Sequence, residues 1–222
     1  MKEQPKPVGL ILCLYNTGRG FTDIAVKCCN ENLDGLPAVR LSGSDSVKLG
    51  KDAVAVETAK LGFDPQYILT CGGDVWFPAG HVSKAVRILE DNADVGVVAG
   101  LAVDSLRAFN GPAASTTHRI TDWLSRFAYE KGELIYLRHW CYNWALIRRD
   151  LLCRLKNLGG PLRMNAEIHR TGMKAVTERT LLVGRVDAEA GVCYFPNYPP
   201  VAIAGGIKAP VTLTEHAVVG VR

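Results

Sequence analysis

The chain has 222 residues, enough for one domain with a sizeable core, so it needs no disulfide staple to fold. Its hydrophobic content of 48% and charged content of 22% are ordinary globular values, and the formal net charge is +4. No apolar run reaches the roughly 18 residues of a membrane span. Residues 1–7 are polar and precede a short apolar stretch without a small-residue cleavage site, so we expect no signal peptide.

Seven cysteines are scattered through the chain. Cys28 and Cys29 are adjacent, a spacing that does not match zinc sites. Cys13, Cys71 and Cys153 lie inside apolar patterns, where cysteine behaves as a small hydrophobe. We therefore expect free thiols and a reducing compartment, which predicts a cytoplasmic protein.

Strand and helix patterns alternate through the first half of the chain. Apolar runs predict strands at 8–14, 38–41, 67–71 and 95–101. Residues 51–62 predict a helix, and Pro78 opens another whose expected buried face is Val82, Ala85, Val86 and Leu89. This alternation predicts an α/β fold with a mostly parallel central sheet.

The pattern changes after residue 103. Residues 118–131 predict an amphipathic helix that ends at Gly132, and residues 134–137 predict a strand. A second helix is expected at 145–156 and a late strand at 181–186. The tail from residue 195 is rich in proline and is expected to be irregular.

The segment that best indicates function follows the predicted strand at 67–71. There an apolar run ends in Gly72, Gly73 and Asp74. Open α/β sheets bind their ligands at the carboxyl ends of their strands, so Asp74 lies where chemistry is expected. We interpret Asp74 as a metal–phosphate or donor-sugar contact; the alternative is an Asp that caps the next turn.

Residues after the first predicted strand are candidates for nucleotide recognition. Tyr15, Asn16 and Arg19 belong to a βα loop in which the ring of Tyr15 would approach the base; an ordinary surface loop is the alternative. Lys51, after the second strand, is a weaker candidate for the same role. Residues 17–20 lack the glycine spacing and the Lys-Ser/Thr pair of phosphate-binding loops.

Aromatic and basic residues are concentrated in the second half. Candidates for a stacking wall against a sugar or base are Trp76, Trp140, Tyr142 and Trp144, with burial in the core as the alternative. Asn143 is a further candidate for substrate binding. Residues 138–185 hold ten Lys/Arg and three Asp/Glu, a balance of 10 − 3 = +7. That excess suggests an anionic ligand such as a nucleoside diphosphate or DNA, or only a solvated basic surface.

Taken in order, these segments resemble GT-A-type glycosyltransferases, in particular the family-2-like inverting enzymes. The similar segments are 13–16, at the family's nucleotide pocket; 62–69, its Gly-x-Asp and apolar strand; 72–74, its Asp-x-Asp position; 142–150, its acceptor side; and 167–174, its Glu-Asp helix. The resemblance implies one GT-A-like domain over 1–222, a three-layer α/β/α structure with a Rossmann-like nucleotide-binding half. That half spans about 8–103, the acceptor half about 104–194 and the tail 195–222.

The same resemblance implies a reaction and its residues. A sugar would move from a nucleotide-sugar, with a UDP-sugar as the first choice, to a hydroxyl acceptor with inversion. Glu167 would be the base, and Asp74 with Mn²⁺ or Mg²⁺ would stabilise the leaving diphosphate. The acceptor stays open, and the basic second half makes DNA one candidate.

Two departures from the family pattern keep alternatives open. Gly72 replaces the first Asp of the motif, so a single carboxylate remains for a divalent ion. Transfer without a metal, with Arg148, Arg149 or Arg170 as the cation, is the alternative. The Glu-Asp pair is reduced to Glu167, which would otherwise be a residue of a first helical turn. An inactive nucleotide- or sugar-binding module is the second hypothesis, and a nucleotidyltransferase of the same fold is the third.

Overall fold

The computed structural model describes residues 10–15, 22–36, 38–43, 65–102, 127–137, 140, 144–154, 161–195 and 198–210. The predicted helix at 51–62 lies outside these ranges. So do five candidate site residues: Asn16, Arg19, Lys51, Tyr142 and Asn143. The predicted domain limits stay predictions.

The described residues form twelve strands and four helices. The strands are β1 (Leu10–Tyr15), β2 (Ala38–Gly43), β3 (Tyr67–Gly72), β4 (Val75–Trp76), β5 (Val95–Ala99), β6 (Phe127–Lys131), β7 (Leu134–Leu137), β8 (Trp144–Arg148), β9 (Lys174–Glu178), β10 (Gly184–Asp187), β11 (Val192–Tyr194) and β12 (Val201–Ala202). The helices are α1 (Asp23–Glu31), α2 (His81–Asp91), α3 (Arg149–Arg154) and α4 (Pro161–Arg170). None of these helices is long and apolar enough to cross a bilayer.

Eight strands form the main sheet in the order β2-β1-β3-β8-β5-β9-β7-β6. β1 is parallel to β2 and β3, and β5 is parallel to β9. β8 is antiparallel to both of its neighbours, β3 and β5, so those two strands run the same way. β7 is antiparallel to β9 and to β6. Six strands therefore share one direction and only β7 and β8 oppose it, which confirms the predicted α/β class with a mostly parallel sheet.

The main sheet is covered by helices on both faces, as a three-layer structure requires. Successive residues of a strand point to opposite faces, and β8 shows this with Leu146 and Ile147. Leu146 belongs to the buried cluster that contains Leu89 of α2. Ile147 belongs to a second cluster that contains Leu151 of α3 and Ile168 of α4. The two clusters are the two cores of the molecule.

Helix α2 has the buried face that the sequence predicts, and helix α1 was not predicted. Four residues of α2 are buried as expected: Val82, Ala85, Val86 and Leu89. The buried residues of α1 are Ala25, Cys28 and Cys29. These side chains are small, so the apolar stripe of α1 is too weak to show in the sequence pattern.

A small sheet in the order β12-β11-β10-β4 lies beside the main one, and its pairings are antiparallel. In the β10–β4 ladder, Arg185 lies opposite Val75 and Gly184 lies opposite Trp76. Glycine is required at 184, because a Cβ atom there would lie 2.4 Å from the Sγ atom of Cys193. The small sheet thus begins directly after Asp74 and fixes the chain on that side.

Two predicted helices are wrong. Residues 127–131, the end of the helix expected at 118–131, form strand β6, and the rest of that segment lies outside the described ranges. Residues 144–148 form β8 in the middle of the sheet, so the helix expected at 145–156 is reduced to α3 at 149–154. A short apolar run that is covered on both faces has no period that separates strand from helix, and tertiary pairing decided the outcome.

The other predicted strands are confirmed, with shifts at their ends. The late strand starts at Gly184, and Leu182 before it forms an isolated parallel bridge with Leu101. Pro161 begins α4, because proline is well tolerated in the first helical turn. The described part of the tail is irregular apart from β12.

Candidate functional site

The carboxyl ends of three parallel strands meet in register at one edge of the main sheet. Tyr15 ends β1 opposite Gly72 of β3 on one side and Gly43 of β2 on the other. Gly73 and Asp74 follow Gly72 directly. The structure therefore places Tyr15, Gly72, Gly73 and Asp74 together, as expected of the ligand-binding edge of such a sheet.

Helix α1 holds the Gly73–Phe77 segment from one side. The backbone N–H of Thr22 donates to the carbonyl of Gly73 at 2.9 Å, and the Thr22 hydroxyl caps α1 by accepting from the N–H of Ala25 at 3.1 Å. One turn later, the thiol of Cys28 accepts from the N–H of Phe77 at 3.2 Å and donates to its carbonyl at 3.1 Å. Tyr15 and Thr22, the residues on either side of 16–21, thus both lie against the Gly72–Gly73 backbone.

Asp74 is paired inside the protein. Its Oδ2 atom lies 3.0 Å from an Nη atom of Arg185 in β10, and the two side chains are 3% and 4% exposed. The backbone supports this pair, since the N–H of Val186 donates to the carbonyl of Asp74 at 2.7 Å. The carboxylate expected at an open rim is therefore buried and neutralised by a guanidinium.

The described residues do not fit a divalent ion. Mn²⁺ and Mg²⁺ take several oxygen ligands, and within the described ranges no three His, Cys, Asp or Glu side chains come together to hold one. Asp74 offers one carboxylate that Arg185 already compensates, and Gly72 offers none. The prediction of Mn²⁺ or Mg²⁺ at Asp74 has no support from this geometry.

The N-terminus of α2, which follows the Asp74 segment, is also occupied by the protein. The carboxylate of Asp34 accepts from the N–H of Gly80 at 2.6 Å and from the N–H of Ser83 at 2.8 Å. These bonds satisfy free N–H groups of the first turn. Because Asp34 takes this position, the start of α2 is not open to a ligand phosphate.

His81, in the first turn of α2, is a structural histidine. Its Nε2 atom lies 2.9 Å from the carbonyl of Leu182, and a carbonyl only accepts, so Nε2 carries the proton. Burial lowers the pKa of His81 to about 4 against the partly opposing effect of this hydrogen bond. His81 is therefore neutral at physiological pH. Its ring packs edge-on against the ring of Trp144, with ring centroids 6.1 Å apart.

A second charged cluster lies at the carboxyl end of β9. Lys84 of α2 contacts Glu178 at 2.5 Å and the hydroxyl of Thr180 at 2.5 Å, and that hydroxyl donates to Glu178 at 2.9 Å. Glu178 is buried while Lys84 is partly exposed. The cluster ties α2 to the end of the sheet, and Lys84 compensates the carboxylate of Glu178.

Several thiols are buried near the carboxyl end of β3. Cys29 and Cys71 lie with their Sγ atoms 3.4 Å apart, and the four cysteines whose side chains are described are all free. Burial raises the pKa of Cys28 to about 12 and likewise that of Cys193. Burial also raises the pKa of Cys71, so these thiols stay protonated and are poor nucleophiles.

Glu167 lies in the last turn of α4, not in a first turn as the alternative interpretation supposed. Its Oε1 atom pairs with Arg170 one turn along the helix, and the Arg170 side chain is 73% exposed. Ile168 beside it is buried in the core and fixes the helix against β9. Glu167 is thus a partly exposed carboxylate, paired with Arg170 on a packed helix.

The aromatic candidates divide between core and edge. Trp140 is buried in one hydrophobic cluster and Trp144 in the other, so both follow the core alternative. Trp76 is partly exposed and contacts Phe195 edge-on, with ring centroids 5.9 Å apart. Trp76 is therefore neither fully buried nor fully exposed, and it packs against both hydrophobic clusters.

Much of the basic excess in the second half is used inside the fold. Arg148 donates hydrogen bonds to the carbonyls of Leu89 and Val95. Its guanidinium is therefore engaged at the C-terminal end of α2 and is not held free for an anionic ligand. Four more of the ten cations pair with carboxylates; they are Arg154, Arg170, Lys174 and Arg185. The local charge excess is smaller than the sequence count suggests.

Two important side chains escaped the sequence reasoning. Arg185 is the partner of Asp74, and Asp34 caps a helix that begins more than forty residues later. A signal for Arg185 exists, because a charged residue inside the apolar run 181–186 needs a buried partner. No local pattern identifies Asp34 as a cap for a distant helix.

A scan against protein-family models and a search of curated proteins find no match to this sequence. Among solved structures the chain is similar to A197 from STIV, with a TM-score of 0.56 and 11% identity over 93% of this chain and 98% of that one. At this identity the likeness shows a shared fold alone.

Two glycosyltransferases are also similar, over parts of their length. One is the mannosyltransferase PcManGT from Pyrobaculum calidifontis, solved with GDP-Man and Mn²⁺, with a TM-score of 0.41 and 11% identity over 80% of this chain and 61% of that chain. The other is GalNAc-T7, solved with UDP, GalNAc and Mn²⁺, with a TM-score of 0.45 and 10% identity over 79% of this chain and 43% of that chain. At TM-scores below 0.5 these likenesses do not establish a common fold, and the chain spans less than two thirds of either enzyme.

Proposed function

We propose that the protein is a nucleotide-sugar-dependent glycosyltransferase that moves a sugar to a hydroxyl acceptor with inversion. The observation that carries the proposal is the edge where β2, β1 and β3 end in register at Gly43, Tyr15 and Gly72. Two of these three positions have no side chain, so a nucleotide can approach the backbone there. Gly73, held by Thr22, continues this narrow backbone surface.

The acceptor chemistry is assigned to α4. In an inverting transfer a carboxylate must take the proton of the acceptor hydroxyl as the nucleoside diphosphate leaves. Glu167 pairs with Arg170 and lies on a helix that the core holds in place. Trp76, partly exposed at the start of the small sheet, is the surface for the sugar.

The donor and the acceptor are the finer parts of the proposal. A UDP-sugar is the first donor to test, because Tyr15 ends β1 at the edge of the parallel strands where the base is expected. DNA stays a predicted acceptor, and the ion pairs that consume the basic residues weigh against it. Binding to DNA that does not weaken with added salt would exclude it, since phosphate contacts release counterions.

One observation favours a second function. The burial of Asp74 against Arg185 removes the carboxylate that would face the donor phosphates, which is the arrangement expected of an inactive nucleotide- or sugar-binding module. Such a module would bind a nucleoside diphosphate without turning over its sugar derivative.

A panel of nucleotides and nucleotide-sugars tests both functions. Stabilisation against heat reports binding, because a ligand that binds only the folded state raises the unfolding temperature. Release of UDP or GDP from the best sugar donor reports turnover. If the protein is the proposed glycosyltransferase, we expect turnover that is lost in Glu167→Gln and kept in the exposed control Glu189→Gln. Binding without turnover in the unmodified protein supports the module, and no binding by any nucleotide overturns both.

A further inference from the structure

We infer, on the basis of the proposed function, that the nucleoside diphosphate binds without a divalent metal ion at Asp74, because the positive charge of the Arg185 guanidinium already occupies the buried carboxylate that would hold the ion. The guanidinium stays protonated at any physiological pH, so this charge does not depend on ion concentration. Asp74 is then a positioning residue that fixes Arg185, and it is not a metal ligand.

The pair is built into the backbone and is not a flexible surface contact. Arg185 lies in β10 directly opposite Val75, the residue after Asp74. The N–H of Val186 bonds to the carbonyl of Asp74 at 2.7 Å, so the chains on both sides of the ion pair are joined. The backbone thus holds residues 74 and 185 next to each other, and burial of both side chains keeps the guanidinium beside the carboxylate.

A divalent ion at Asp74 would meet an unfavourable field. It would share one buried carboxylate with a guanidinium that already lies 3.0 Å from it, and two cations on one buried carboxylate repel each other. The ion would also find a glycine, Gly72, at the neighbouring position from which a second carboxylate would come. The net charge of the Asp74–Arg185 pair is zero, so the pair itself does not attract a cation.

Mn²⁺ binding to the protein alone is the first test. Free Mn²⁺ gives a paramagnetic resonance signal that falls when the ion is bound. We expect no loss of signal at equimolar protein. Stoichiometric loss that disappears in Asp74→Asn/Arg185→Gln, and persists in the exposed control Asp91→Asn, would overturn the inference. The double variant is used because it leaves neither partner buried with an uncompensated charge.

Nucleotide affinity with and without the ion is the second test. Titrations of UDP and GDP in EDTA and in Mn²⁺ should give Kd values within about threefold of each other. A larger gain with Mn²⁺ that the double variant loses would overturn the inference while leaving the proposed function intact. If neither nucleotide binds under either condition, the proposed function fails, and the resonance experiment alone then decides whether Asp74 holds an ion.

Discussion

Two carboxylate–arginine pairs occupy contrasting environments in this molecule. Asp74 and Arg185 are buried between the main and the small sheet, with side chains 3% and 4% exposed. Glu167 and Arg170 form the same chemical pair on the surface of α4, where the arginine is 73% exposed. In the sequence the two carboxylates had equal standing as candidate catalytic groups, and the fold separates them.

The difference shows why a residue type alone does not define a role. A buried pair is held by its surroundings, and loss of one partner leaves an uncompensated charge in the interior. In the second pair the arginine is largely in solvent while the glutamate is 18% exposed, so water and salt screen this pair more than the buried one. The buried carboxylate is therefore the better structural element, and Glu167, which keeps some exposure, is the better candidate for a base.

Loss of the buried pair should have the largest effect. Arg185→Met leaves Asp74 charged and buried, so the free energy of unfolding should fall by about 3–5 kcal/mol. Denaturant unfolding followed by circular dichroism measures this loss. Asp74→Leu/Arg185→Met should recover most of the stability, because an apolar pair leaves no buried charge. A single variant as stable as the unmodified protein would show that the pair is not buried in solution.

His81 should make the same buried region sensitive to acid. Its pKa is about 4 in the folded protein against 6.5 for the free side chain, so between these values the unfolded state binds more protons. Stability contributed by neutral His81 is complete above pH 6.5 and is lost as the pH falls towards 4, by about 3 kcal/mol in total. Unfolding measured from pH 7 to pH 4 should show a weaker pH dependence in His81→Gln. The exposed control His169→Gln should keep the dependence of the unmodified protein, and equal slopes in all three would contradict the prediction.

The cap on α2 should have a smaller effect. Asp34→Gly removes two hydrogen bonds to the helix N-terminus but tolerates the positive φ of 54° at this position. We expect a loss of about 1 kcal/mol in unfolding free energy, as is usual for a removed helix cap. Asp34→Asn keeps a hydrogen-bond acceptor and should lose less unfolding free energy than Asp34→Gly. A thermal melt in which Asp34→Asn is the less stable variant would contradict the capping role of Asp34.

The surface pair should have the smallest effect on stability. Arg170→Met should change the unfolding free energy by less than about 0.5 kcal/mol, because an exposed pair on one helix contributes little. It is the matched control for Arg185→Met, since both remove an arginine from a carboxylate. A cost as large as that of the buried variant would show that α4 is packed against more of the protein than the described residues indicate.

Much of the fold could be predicted because the signals are local. β1, β3 and α2 follow from apolar runs and a helical stripe, and each needs only neighbouring residues to be recognised. β8 and β6 were predicted as helices because their strand identity depends on partners distant in sequence. The same limit applies to the site: Gly72, Gly73 and Asp74 were located correctly at the sheet edge, whereas the guanidinium that neutralises Asp74 comes from residue 185.

By itself the sequence determined the alternation of strands and helices, the parallel sheet and the glycine-rich end of β3, because hydrophobic periodicity and turn residues act over a few positions. Only the tertiary structure decided that Asp74 is buried with Arg185, that Asp34 caps α2 and that Glu167 is paired on a helix surface. Those outcomes depend on desolvation and on charges brought together across the sheets. Desolvation and charge pairing are set by distances in space, which the order of residues along a chain does not state.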